Sequence, residues 1–331
     1  MDGASNLPPA NDEIDVSVIV VTYNSADCIK TCLQSALGQE GVAIEVIVVD
    51  NVSADKTIET VRGVGESVRL LLNHQNIGFG RACNQGVASS RGKYIMLLNP
   101  DAAFDNKDSL AQLCQAMAKN HRWGLAGTRV TEADGAVDCL PSLTYPKQNR
   151  TSRDFSALPG TIAWVFGASM FVRREVFAEA GGFDPEFFLT SEETDFCLRI
   201  RELGHEIGFV SDVTVRHIGA ASERGRDPYD TWRLRVPGIY RFWAKHYPQK
   251  DARKLVRRDW LRARYRQAVY QVLAYLAGHE SAFWQKYRRY MGIGDAAWVF
   301  LRSLDEEPEV VPTAFPQISS GSTQDNTPGP P

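Results

Sequence analysis

Val16-Ser17-Val18-Ile19-Val20-Val21, running into Thr22-Tyr23-Asn24, decides the fold. Five of its six strand residues are apolar and most are β-branched, so both faces of the strand would be buried, as in a parallel strand covered by helices on either side. The pattern returns twice within the first hundred residues. Val46-Ile47-Val48-Val49 ends in Asp50-Asn51, and Tyr94-Ile95-Met96-Leu97-Leu98 ends in Asn99-Pro100-Asp101. In an open α/β sheet, ligands bind beyond the carboxyl ends of the strands, so three polar tags at three strand ends describe one site. The tags carry acids rather than a glycine-rich turn, which points to a nucleotide diphosphate held through a divalent metal.

A helix is expected after each strand. Ile29, Cys32, Leu33, Ala36 and Leu37 recur at helical spacing, with Ser25 or Asp27 placed to cap the first turn. Ser53 to Thr57 opens a second helix. A further strand, Val68 to Leu72, leads into a segment from Asn73 to Gly86 in which Gly78 and Gly80 let the backbone approach a ligand and Arg81 and Asn84 share a helical face.

Length and composition bound the rest. With 331 residues and 44% hydrophobic content, the chain can bury one large core with a smaller unit appended. A net charge of -3 leaves no overall nucleic-acid footprint. No apolar run is long enough to cross a membrane, and Met1 to Glu13 is polar, so the chain is expected in the cytoplasm. The six cysteines are scattered. Only Cys28 and Cys32 are close, without a second pair or a neighbouring His, and reduced thiols are expected rather than a zinc site. Four stretches follow from composition: a leader over 1–14, an α/β body over 15–222, a basic helical extension over 223–304, and an acidic, disordered tail over 305–331.

Several ordered motifs sharpen this reading. They are Val21-Thr22-Tyr23-Asn24-Ser25, Val48-Val49-Asp50-Asn51, Asn76-Ile77-Gly78-Phe79 through Asn84-Gln85-Gly86, Leu98-Asn99-Pro100-Asp101, Gly167 to Arg174, Gly181-Gly182-Phe183-Asp184, Glu192-Glu193-Thr194-Asp195 and His217-Ile218-Gly219. In that order, over roughly residues 16 to 222, the chain resembles an inverting glycosyltransferase of the GT-A fold, family 2, and within it the bacterial rhamnosyltransferases of surface-polysaccharide assembly. The resemblance implies a Rossmann-like, mostly parallel sheet flanked by helices.

It also implies roles. Asp50 would accept from the N–H of uracil or thymine, with Thr22, Tyr23, Asn24 and Asn51 beside it; Asp50 and Asn51 could instead only cap the next helix. Asn76, Gly78, Arg81, Asn84 and Asn99 would complete the nucleotide-sugar side. Asp101 would hold Mg2+ or Mn2+, helped by His217, which follows the strand-like Val213-Thr214-Val215. The family pattern there is Asp-X-Asp, and Asn99 replaces the first acid without bringing charge. In the family run Glu-Asp-X-Asp the second acid is the catalytic base, a position occupied here by Glu193, with Asp195 the next candidate and Glu192 in support. Clustered carboxylates raise one another's pKa, as a base working near neutrality requires, although acids at a helix start also serve as caps. One acid and one metal suffice for a single displacement with inversion. The donor implied is dTDP-rhamnose, then a UDP-hexose, and the acceptor a glycan or lipid-linked glycan. A nucleotide-sugar binding protein that has lost catalysis is the alternative that Asn99 and Glu193 leave open. A dehydrogenase would need a glycine-rich turn where Thr22-Tyr23-Asn24-Ser25 stands.

Two regions are less determined. Asp138 to Ile162, with its prolines, is long enough to form a mobile loop over the site, and Trp164 to Ser169 would either line the sugar pocket or fill the core. From Lys245 to Tyr290 there are twelve Lys or Arg against three Asp or Glu. Leu261, Tyr265, Val269, Val272, Leu273 and Leu276 recur there at helical spacing. Such a stripe suits an anionic membrane surface, the inner face of the cytoplasmic membrane, but equally the catalytic body or a second copy in a homodimer.

Overall fold

The computed structural model describes residues 14–132, 138–217, 227–278 and 281–304. The expected tail over 305–331, and the leader apart from Ile14, lie outside the described residues.

The three quoted runs become β1 (Val16–Thr22), β2 (Ile44–Asp50) and β4 (Tyr94–Leu98), and the fourth expected strand is β3 (Val68–Leu72). Between them lie α1 (Ile29–Leu37), α2 (Thr57–Val64) and α3 (Phe79–Ala88). Then come β5 (Ala102–Phe104), α4 (Ser109–Lys119), β6 (Trp123–Glu132), β7 (Asp138–Cys139), β8 (Ser169–Arg173), α5 (Arg174–Glu179), α6 (Glu192–Glu202) and β9 (Glu206–His217). Among the described residues the strands form one sheet in the order β3-β2-β1-β4-β8-β6-β9-β5, with β7 on β6. The β3-β2-β1-β4 half is parallel, as the apolar runs require. Beyond it the sheet is mixed: β8 runs antiparallel to both neighbours, β9 parallel to β6, and β5 antiparallel to β9.

Alternate residues of β1 enter different cores, as period-two geometry dictates. Val16, Val18 and Val20 pack with Ile29 and Leu33 of α1 and Leu113 and Met117 of α4. Ile19 and Val21 pack with Ala82 and Cys83 of α3 and Phe196 and Ile200 of α6. Gly86 of α3 lies directly on β1; a Cβ there would stand 2.5 Å from the Ile19 side chain. The cap expected for α1 differs: Cys28 occupies that position and makes no side-chain capping bond, its Sγ donating instead to Ser25 O (3.3 Å), while Ser25 Oγ accepts from Tyr23 N (3.4 Å). All six cysteines are free.

Three helices complete the described chain, α7 (Pro228–His246), α8 (Gln249–Ala277) and α9 (Ala282–Ser303). Asp227 caps α7, accepting from Tyr229 N at 2.7 Å with Pro228 following, and Ser281 caps α9. A third core fastens these helices to the body: Tyr240, Trp243, Leu255 and Val256 meet Tyr145, Phe155, Phe187 and Leu198. The 138–162 stretch is therefore not a loop over the site. Its Tyr145 and Phe155 are buried under α7, Pro146 O accepts from Trp243 Nε1 (3.0 Å) and Tyr247 Oη (2.6 Å), and Ser152 bonds Asp251. Buried aromatic rings hold it down where the run of prolines suggested freedom.

The stripe on α8 splits. Its first turns enter the third core through Ala252, Leu255 and Val256, whereas Leu261, Val272, Tyr265 (72% exposed) and Leu276 (76% exposed) face outward. Among the described residues no helix is long and apolar enough to cross a membrane.

Candidate active site

The strand ends meet as the polar tags required. At the end of β4, Asp101 and His217 face each other, with Asp101 Oδ1 3.2 Å from His217 Nε2 and Asn99 Nδ2 3.4 Å from the same nitrogen. β5 makes this contact, since Ala102 is the register partner of His217. A carboxylate oxygen and an imidazole nitrogen form a donor set suited to a hard divalent cation whose remaining positions are filled by phosphate oxygens and water. Among the described residues no group of three His, Cys, Asp or Glu could cage an ion alone, so a metal here would need the diphosphate as co-ligand. A cavity of about 210 Å3, walled in part by Cys28, Cys32, Asp101 and Arg216, opens beside the pair. Burial, followed by the charges of Cys28 and Asp101, pushes the Cys32 thiol far up, so it stays protonated. The wider hollow between α1 and α2 contains none of the expected site residues.

At the ends of β1 and β2, Asp50 is buried and Oδ2 accepts from Thr22 Oγ1 (2.8 Å) and Ser53 Oγ (2.6 Å), while Oδ1 accepts from Ser53 N (2.9 Å). These bonds close a turn ahead of α2, whose N-cap position is Lys56, so Asp50 does not cap that helix, and a lone pair of Oδ1 is left over. Asn51 donates to Gly78 O (3.2 Å) and accepts from Asn73 (2.8 Å), joining this turn to the start of α3. Asn24, in the left-handed region at φ 52°, accepts from Ala54 N, and its own N–H donates to Ser53 Oγ, both at 2.8 Å. Tyr23 between them is half-buried. Asn76 is exposed, and its Oδ1 accepts from Gly78 N at 3.0 Å, shaping the turn.

Two residues expected on the nucleotide are engaged elsewhere. Arg81 Nε donates to Pro185 O (2.7 Å), and Asn84 clasps the Phe183 backbone, donating to its carbonyl (2.7 Å) and accepting from its N–H (2.9 Å). Both pin the 183–188 loop onto α3, which explains their shared helical face.

α6 begins at Glu192 itself, so all three acids lie in its first turn, where the helix dipole favours them. Their surroundings separate them. Glu192 is 7% exposed, and its Oε2 has no hydrogen-bond partner among the described residues. Burial, reinforced by the charge of Glu193, lifts its carboxyl well above the carboxylate range, leaving it neutral. Glu193 is half-buried against Gly167, and burial raises its pKa too, opposed by hydrogen bonds from the helix start and Thr194. Asp195 is 0% exposed. Burial alone would raise its pKa, but the hydrogen bond from His246 and the charges of Arg199 and Lys245 prevail and hold it at about 2. Arg199 Nε lies 2.8 Å from Oδ2, and Lys245 Nζ and His246 Nε2 each lie 2.7 Å from Oδ1. A carboxylate fixed by three cationic or donor groups is a poor proton acceptor, so Asp195 anchors α6 and of the three acids Glu193 is the half-buried one without such a clamp.

The 164–169 segment, expected either to line the sugar pocket or to fill the core, links the two halves. Phe166 stacks edge-on to His217 with ring centroids 5.6 Å apart, Gly167 lies against the Glu193 side chain, and Ala168 O accepts from Asn99 N (3.0 Å). Sequence reasoning missed Lys245 and His246, which no motif marks.

A family model described as "Glycosyl transferase family 2" matches residues 17–181. Over 96 residues the chain is 46% identical to the succinoglycan biosynthesis protein ExoO of Rhizobium meliloti, a match spanning 28% of either protein. It is 27% identical over 241 residues to the N-acetylglucosaminyl-diphospho-decaprenol L-rhamnosyltransferase of Mycobacterium tuberculosis, covering 64% of this chain and 78% of that protein. Among solved structures, the mannosyltransferase PcManGT from Pyrobaculum calidifontis, in complex with GDP-Man and Mn2+, superposes with a TM-score of 0.55 at 20% identity, covering 89% of this chain and 88% of that one. At that identity the likeness bears on the fold alone, a GT-A-like mixed sheet flanked by helices.

Proposed function

Because residues 17–181 form a family 2 glycosyltransferase domain, we propose that this glycosyltransferase moves a hexosyl group, rhamnosyl from dTDP-rhamnose first and a UDP-linked hexose next, to a glycan or lipid-linked glycan with inversion. The observation that carries it is the short Phe166–Ala168 segment, which touches the Asp101–His217 pair at one end and Glu193 at the other. A leaving group at the first and an acceptor hydroxyl at the second would straddle one anomeric carbon.

In this reading the free lone pair of Asp50 Oδ1 accepts the N3–H of a pyrimidine, with Asn51 and Tyr23 beside the base. Asp101 and His217 would hold a divalent cation, Mg2+ or Mn2+, which would supply charge neutralisation on the departing diphosphate. Glu193 takes the acceptor proton while the acceptor oxygen bonds the anomeric carbon and the bond to the diphosphate oxygen breaks. Burial keeps the Glu193 pKa raised toward the working range of such a base. With one base and one displacement, the anomeric configuration inverts.

The exposed end of the α8 stripe supports a lipid-side acceptor. Leu261 and Tyr265 are exposed close in sequence to the exposed Arg257, Arg258 and Arg262, and Val272 and Leu276 are exposed further along the same helix, which complements an anionic bilayer, whereas two copies meeting at the arginines would oppose like charges.

A screen of metal-dependent binding and hydrolysis across dTDP-, UDP- and GDP-sugars tests the main reading. Preference for a pyrimidine nucleotide, lost on chelation, is expected. Preference for GDP-sugars would remove the role given to Asp50, and metal-dependent binding with no turnover of any donor would favour a binding protein.

A further inference from the structure

α6 leans on α7 through its first turn. Lys245 Nζ bridges two acids, 2.7 Å from Asp195 Oδ1 and 2.6 Å from Asp184 Oδ2. His246 Nδ1 lies 3.4 Å from Arg153 Nη1, a group that only donates, so Nδ1 accepts and the proton on Nε2 points to Asp195. Asp195 and Glu193 are two residues apart, about 200° around the helix, so the pull of α7 on one side fixes how far the other side is presented.

The turn entering α6 is held by the same helix. Thr190 and Ser191 both have φ 66°, a left-handed conformation that a β-branched residue rarely adopts. Two such residues in succession persist only where their surroundings determine them. Thr190 Oγ1 donates to Arg235 O on α7 (2.5 Å), and Gly238 lets α7 lie on the loop; a Cβ there would collide with the carbonyl oxygens of Leu189 and Thr190. On its other side the loop is tied to α3 by Phe79 N, which donates to Phe188 O (3.1 Å).

We infer that α7 belongs to the catalytic apparatus: Lys245 and His246, acting through Asp195, and the Thr190–Arg235 bond are positioning contacts that set the Glu193 carboxylate against Gly167 and the acceptor. The inference rests on Glu193 as the base. These contacts involve neither Asp50 nor the Asp101–His217 pair, so they should act on turnover and not on nucleotide affinity.

The test uses the full chain, Mn2+, and hydrolysis of dTDP-rhamnose or UDP-glucose, with water in place of the acceptor. Lys245→Met should lower kcat by about tenfold to a hundredfold with donor KM changed less than about twofold, the scale expected when a reacting group is misplaced by an ångström. Lys245→Arg, which restores the bridge, should recover kcat to within about threefold. Unchanged kcat in folded Lys245→Met, or equal loss in Lys245→Met and Lys245→Arg, overturns the inference. If Lys245→Met fails to fold, Thr190→Ala decides: a kcat loss without a KM change supports it, and unchanged kcat overturns it. Glu193→Gln run alongside separates the premise, since full activity in that variant sinks the base assignment whatever α7 does.

Discussion

His217 Nε2 stands 3.2 Å from Asp101 Oδ1 because β5, only three residues long, lies antiparallel to the end of β9. Pairing of β5 with β9 thus brings the turn that carries Asp101 onto His217, and the geometry should survive loss of either side chain. Asp101→Asn keeps the shape and removes the charge; kcat should fall by roughly 10²–10³, as when one preorganised electrostatic contact is removed. Calorimetric titration of UDP with and without Mn2+ checks the cause: the wild type should bind more tightly with metal, and Asp101→Asn should not.

Glu192 and Glu193 should respond oppositely to amide substitution. Glu193→Gln removes the base and should cost about 10²–10⁴ in turnover. Glu192 is already neutral in its buried site, so Glu192→Gln should retain most activity. Because burial raises the Glu193 pKa, activity should fall as pH drops through a value above the ordinary 4.5. A kcat/KM profile of wild type and Glu192→Gln measures both.

Asp195 ties acid stability to α7. Its folded pKa, about 2, is below the ordinary 3.8, so its contribution is complete above about pH 4 and disappears as pH falls toward 2. The shift corresponds to about 2 kcal/mol. Asp195→Asn leaves Lys245 and Arg199 facing a neutral group and should cost about 3–5 kcal/mol at pH 7. Urea unfolding at pH 7, 4 and 2.5 should show the difference between the two proteins shrinking with acidity.

Gly78 has φ 88°, and a Cβ on it would lie 2.6 Å from Phe188 O. Gly78→Ala should therefore destabilise by about 1–3 kcal/mol and loosen the contact between α3 and the 188–191 loop. Thermal melting gives the first effect, and a reduced kcat the second.

Val272→Asp combined with Leu276→Asp places charge on the exposed end of α8 and should abolish flotation with phosphatidylglycerol vesicles while leaving donor hydrolysis intact. Wild-type flotation that resists salt, or no flotation at all, would remove the anionic surface as partner. A shift from dimer to monomer in the variant would instead assign the stripe to a second copy.

The parallel half of the sheet was legible because β1, β2 and β4 are apolar on both faces and each stops at a polar tag. The mixed half was not, since the antiparallel run of β8 depends on pairing with β4, which no local period encodes. The meeting of Asp101 with His217 was legible by motif. Arg81 and Asn84 carried the right spacing for ligand contact, yet their partners are backbone carbonyls of a loop a hundred residues away. Tyr145 and Phe155 could have warned that the 138–162 stretch is pinned, as aromatics in a polar loop need somewhere to be buried. Gly238, directly after Pro237 inside a helix, was the one sequence sign that another backbone comes close to α7.

The family match ends at residue 181, ahead of Glu193, His217 and the whole of α7. Exchanging only residues 17–181 would carry the strand ends proposed for the nucleotide base and leave His217, Glu193 and α7 behind. A graft that works should be cut after His246, so that the helix holding Asp195 travels with the carboxylate it aims.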